Sequence, residues 1–152
     1  MDPETTTPPT HDERTFAMLA HLLQLFGGFI APLVIYLVKR DSRFVAFHAL
    51  QALIWQAIYF VVSMVGVVVW VALIIGTIAT HPHSGPSNGP PVALFFVFPL
   101  IWLFFMGGWV VTLILAIVYG IKANQGQWAM YPIVGRWALR LAPGERTATS
   151  PK

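Results

Sequence analysis

Two runs without a single charged residue, Phe44–Thr80 and Val92–Ile121, constrain this chain more than anything else in it. A helix needs about 20 apolar residues to cross a hydrocarbon core roughly 30 Å thick. Each run exceeds that. At about 1.5 Å per residue they reach roughly 45–55 Å, so they must tilt, bend or enter the headgroups. Pro99 and the Gly107-Gly108 pair offer bend points in the second run. The competing reading, a soluble domain hiding both runs in its core, fails on composition. Of the residues, 57% are hydrophobic and 10% charged, where a soluble domain carries roughly 25% charged. A domain this small also buries only about 70% of its surface. Lipid is therefore the expected solvent.

A third, weaker apolar stretch precedes these two. Asp12 and Glu13 suit a helix N-terminus, and apolar residues follow from Phe16 until Lys39-Arg40. His21 and Gln24 lie in its early half, and Gly27-Gly28 and Pro32 interrupt it. The expected fold is an all-α, polytopic membrane bundle with three transmembrane helices, over about 16–38, 48–79 and 92–121. The first is either a full span or a broken, re-entrant hairpin, because Gly27-Gly28 divides it into pieces each too short to cross. A short amphipathic C-terminal segment completes a single domain over 12–140. A turn-rich loop at 80–91 (THPHSGPSNGPP from Thr80) and disordered tails at 1–11 and 141–152 are expected around it. MDPETTTPPTHDER lacks the basic start and short apolar core of a secretory signal, so the first stretch is expected to persist in the mature protein.

Basic residues then orient the chain. Arg14 precedes the first stretch, Lys39, Arg40 and Arg43 fill the first loop, and none lies in the second loop. Lys122, Arg136, Arg140, Arg146 and Lys152 follow the last run. The positive-inside rule places the first loop and the C-terminus in the cytoplasm. The expected location is the bacterial cytoplasmic membrane, multi-pass. With three spans the N-terminus lies outside; with a re-entrant first segment it is cytoplasmic.

The polar residues exclude more than they suggest. All six carboxylates (Asp2, Glu4, Asp12, Glu13, Asp41, Glu145) lie outside the apolar runs. That argues against a proton-coupled carrier and against intramembrane acid–base catalysis. Cysteine is absent, which removes disulfides and thiolate sites. Ser63 has no accompanying GxSxG motif, so a serine hydrolase is not expected. No basic stripe is interleaved with stacking aromatics, so nucleic acid is not an expected partner. No enzyme, cofactor or resident metal is expected. His81-Pro82-His83 supplies only two imidazoles and reads as a solvated loop.

The sharpest pattern is His21-x-x-Gln24 and His48-x-x-Gln51. Residues three apart share a helix face, so each pair forms one polar patch. The plain reading is helix-to-helix or headgroup hydrogen bonding, worth roughly 1 kcal/mol per bond. The sharper one is a shared ligand, metal or haem site. Three full spans keep His21 and His48 at opposite faces; a re-entrant first segment brings them together. A channel or carrier path would use the same residues with Gln56. Gly27, Gly28, Gly107, Gly108 and the Ser63/Gly66 pair are either close-approach points or bends. Arg136 and Arg140 share a face in an aromatic tail, which reads as an amphipathic stub on an anionic leaflet. Headgroup contacts are expected from Lys39, Arg40, Arg43, Lys122, Arg136 and Arg140, with Trp128 and Trp137 as interface anchors.

Four elements in this order, DERTFAMLAHL (12–22), PLVIYLVKRD (32–41), FVAFHALQAL (44–53) and KANQGQWAMYPIVGR (122–136), resemble a bacterial domain-of-unknown-function family of small membrane proteins. That family is similar to the Tic-twenty subunit of the chloroplast import translocon. The resemblance covers roughly 12–140 without the second loop, and FVAFHALQAL is its most specific part. Met130 stands where members often carry a basic residue before Tyr-Pro. The resemblance implies a compact helical membrane domain and a non-enzymatic role as subunit or scaffold. Expected partners are the lipid bilayer and other membrane proteins or further copies.

Overall fold

The computed structural model describes residues 8–80 and 92–142. These form five helices and no strand: α1 (His11–Gly27), α2 (Ile30–Lys39), α3 (Arg43–Thr80), α4 (Val92–Asn124) and α5 (Gly135–Leu141). The loop histidines His81 and His83, and most of the two expected tails, lie outside the described residues.

The expected first span is two helices, not one. Thr10 opens α1 with a capping box: its Oγ1 accepts from the Glu13 backbone N–H at 3.3 Å, and its own N–H donates to Glu13 Oε2 at 2.7 Å. The helix therefore begins one residue inside the expected N-terminal tail. It stops at Gly28, whose φ of 52° and ψ of −131° exclude a side chain without strain. The chain reverses, and α2 starts at Ile30. Pro32 stands in its first turn, where a missing N–H costs nothing. With 17 and 10 residues, neither helix has the length to cross a bilayer. Among the described residues only α3 and α4 do.

The two long helices are apolar but scarcely buried. In their most apolar windows, 6% of α3 and 11% of α4 is covered by the rest of the protein. A soluble core helix of such composition would be covered nearly throughout. Leaving a Val, Leu or Phe side chain in water forfeits about 1.5–3 kcal/mol, and dozens here face outward. Lipid contact removes that cost.

The chain divides into two compact units. The first comprises residues 1–57 and 112–152. At its centre is the start of α3, where Phe44 to Ala52 are all buried. This segment is thus enclosed by protein rather than lying at the membrane surface, as one reading of His48 and Gln51 required. On one side Val45 and Ala49 pack with Ala20 of α1 and Ile35 of α2. Phe44 packs with Ala17 of α1 and Ala123 of α4, and Phe47 and Leu50 with Ala138 and Ala142. The alanines bring the helices close; the aromatic and branched residues fill what remains.

The second unit, residues 58–111, contains the rest of α3 and α4. A Cβ on Gly108 would lie 2.5 Å from the Tyr59 ring, so Gly108 is a close-approach point. Tyr59 donates its hydroxyl to the Phe105 carbonyl at 3.1 Å. Gly107 meets nothing within 4 Å. Pro99 stands inside α4 without ending it.

Candidate functional site

Every polar residue singled out near the start of the chain converges in the first unit. His21, Gln24, His48 and Gln51 are at most 1% exposed. The two patches meet: His21 Nε2 and His48 Nδ1 are 3.0 Å apart. The α1–α2 reversal makes this possible, because it returns the chain to the end of the bundle where α3 begins. The two histidines are together, as the re-entrant reading of the first stretch expects and the full-span reading does not.

The node contains residues that the pattern did not single out. After α4 the chain turns at Gly126, whose φ is 77°. It then runs without helix through 127–131, alongside α3. An irregular segment in an apolar setting must find partners for its peptide groups. His48 Nε2 meets the Gln127 carbonyl at 3.1 Å. Gln51 donates to the Ala129 carbonyl at 3.1 Å and accepts the Tyr131 N–H at 2.6 Å. The FHALQ segment thus holds alternate peptide groups of the tail as a neighbouring strand would. Gln56 donates to the Gln24 carbonyl at 3.0 Å, near the end of α1, where carbonyls lose their helical partners. Of the side chains expected to line a path or hold a ligand, His48, Gln51 and Gln56 bond to backbone.

Tyr131 closes the node. Its hydroxyl is 2.9 Å from His21 Nδ1 and accepts from Gln24 Nε2 at 3.3 Å. Its ring packs edge-on to Tyr119 at 4.4 Å and lies stacked near His21 at 5.3 Å. Burial pushes the phenol far above the ordinary tyrosine range, so it stays a hydroxyl. Burial also holds the His21 imidazole well below its ordinary value, and the neighbouring His48 acts in the same direction.

All four imidazole nitrogens of the pair are therefore engaged. A metal or haem iron would have to displace one of these bonds. Among the described residues no three His, Asp or Glu side chains converge. Tyr131 was legible only as part of an aromatic tail. A better signal was available in Val134, Ala138 and Ala142, whose spacing of four marks a packing face.

The expected headgroup residues form a rim around this unit. Lys39 Nζ sits 4.5 Å over the Phe16 ring and Lys122 Nζ 5.3 Å over Tyr119. Arg43 is half-buried; Arg40 is at the α2–α3 turn. Arg136 and Arg140 are exposed on α5, beside exposed Ile133, Trp137 and Leu141. Trp128 is not a free anchor. It packs on Phe44 at 5.2 Å and Phe47 at 5.3 Å.

Residues 12–138 match the family model described as the magnetosome magnetite crystal formation protein family. No curated protein and no solved structure matches the chain. The match bears out the bacterial small-membrane-protein part of the resemblance; it does not extend to the chloroplast translocon subunit.

Proposed function

The chain belongs to the magnetosome magnetite crystal formation protein family, and on that premise we propose a non-enzymatic membrane protein that serves crystal formation by association. The observation that carries this reading is the node itself. Its imidazole nitrogens and its Gln51 and Gln56 amides are bonded within the protein, to one another, to Tyr131 and to backbone, which supports a structural use of these residues. What remains for function is surface: the rim of cations, α5 and the lipid-facing helices. A pull-down of the full chain from its native membrane in mild detergent should recover companion membrane proteins or further copies. Recovery of monomer alone would overturn the reading.

In this proposal two helices, α3 and α4, cross the membrane, and the α1–α2 hairpin enters from the cytoplasmic side and returns. Phe26, 91% exposed beside the reversal, and exposed Phe29 and Ile30 give that hairpin a lipid-seeking tip. Charge supports it. All nine Lys and Arg then fall on one side and none in the second loop, whereas three spans would strand Arg14 outside. Arg136 and Arg140 meet anionic headgroups while Ile133, Trp137 and Leu141 enter the interface. Reporter fusions at residues 1, 42, 86 and 152 test this arrangement. Residues 1, 42 and 152 should report cytoplasm and 86 the opposite side; residue 1 siding with 86 would restore three spans.

A further inference from the structure

The hydrogen bonds of the node have a direction. The Gln127 carbonyl can only accept, so His48 Nε2 carries a hydrogen. A neutral imidazole then has a bare Nδ1, and the hydrogen between the rings belongs to His21 Nε2. His21 Nδ1 is bare in turn and takes the Tyr131 hydroxyl hydrogen, while the hydroxyl oxygen accepts from Gln24. Every bond points from Gln24 toward Gln127. At the head of the row the buried Gln24 Oε1 has no partner.

A second arrangement fits the same atoms with one more proton. His48 becomes an imidazolium: Nε2–H still donates to the Gln127 carbonyl, and Nδ1–H now donates to His21 Nε2. The His21 hydrogen moves to Nδ1 and donates to the Tyr131 oxygen. The hydroxyl turns its hydrogen toward Gln24, whose amide rotates to present Oε1. All four contacts survive, the three between His48 and Gln24 are reversed, and Gln24 Oε1 takes the bonded place of its Nε2. Two added protons do not fit, because N–H would face N–H across 3.0 Å. No other group relieves this. Tyr131 faces the pair from the tail and Tyr119 from α4, with Lys122 over the Tyr119 ring; Phe44 and Phe47 face it from α3. Among the described residues no carboxylate bonds to either ring.

We propose that the His21–His48 pair is a one-proton site: the first proton reverses the three bonds between His48 and Gln24 and is held, and a second drives the rings apart and frees residues 127–131 from α3. The proposal does not depend on the role in crystal formation. It is tested on the full chain carrying His11→Gln, His81→Gln and His83→Gln, so that His21 and His48 are its only imidazoles, in lipid nanodiscs with ¹⁵N-labelled histidine, as the pH is lowered from neutrality. Leu37→Cys and Ile133→Cys supply a spin-label pair, since the chain has no cysteine of its own. The nitrogen spectra should show two neutral Nε2–H rings, then one imidazolium beside one neutral ring with the label distance unchanged. A second imidazolium should appear only together with loss of the narrow distance peak. Two imidazolium rings at an unchanged distance would overturn the proposal, and so would a distance peak lost at the first protonation. His48→Gln can donate to Gln127 and accept from His21, so it should keep the narrow peak throughout the titration. Loss of that peak at the wild-type pH would also count against the proposal. Should this variant fail to fold, the spectra of the wild-type rings and the label pair still decide.

Discussion

Gln51 does more for the fold than its single amide suggests, since it serves a carbonyl and an N–H two residues apart on the tail. Removing it leaves both without partners in a buried setting, where each orphaned group costs about 1–3 kcal/mol. Gln51→Ala should therefore lower unfolding stability in mixed micelles by about 2–4 kcal/mol. Gln127→Ala should change it by less than about 0.5 kcal/mol, because that side chain bonds only to exposed Gln125. Spacing made the His/Gln pairs legible as two patches. It could not show that the partners of His48 and Gln51 include main-chain atoms about eighty residues away, because a backbone carbonyl leaves no mark in a sequence. Tyr131 escaped notice for a related reason. A lone tyrosine in an aromatic tail looks like an interface residue until the turn at Gly126 places it inside.

At the level of elements, glycines divide by the work each one does. Gly28 sets the reversal between α1 and α2 with backbone angles that belong to glycine. Gly28→Ala should cost about 1–3 kcal/mol through backbone strain. Gly107→Ala, which meets open space inside a helix, should be neutral or stabilising by up to about 1 kcal/mol. Thermal unfolding in one detergent compares the two. The break at Gly27-Gly28 was readable from the chain, and so were the extents of α3 and α4 to within a few residues. Which way the break resolves was not, because either piece is apolar enough to enter a membrane. What the sequence does not display is the packing of Ala17 and Ala20 with the start of α3. For α5, exposed Trp137 should be quenched by brominated lipid, while packed Trp128 is not; equal quenching of both would contradict the packing on Phe44 and Phe47.

For the whole molecule, the balance of stability against acidity follows from the buried pair. His21 has its proton affinity lowered in the folded state by burial, then by His48. The unfolded chain therefore binds more protons as pH falls below the ordinary histidine value of 6.5, and unfolding becomes easier. Stability in micelles should be greatest above that value and decline below it. His21→Gln should flatten the decline over the first pH unit or so; an unchanged slope would mean that other groups set it. Glu13 acts in the same direction: burial raises its carboxyl, but bonds from Ser42 and Thr10 and the charge of Lys39 outweigh that and lower it. The large-scale reading, helices solvated by lipid, was available from two uncharged runs alone. Their meagre coverage by protein bears it out.

The turn at Gly126 has a consequence in time. A ribosome delivers α1, α2 and the first half of α3 long before residue 131 exists. Until then Gln51 has no peptide groups to hold, and His21 faces His48 with no hydroxyl behind it. A late stretch thus completes an early one, and a nascent chain halted before Tyr131 should be an early target for membrane quality-control proteases.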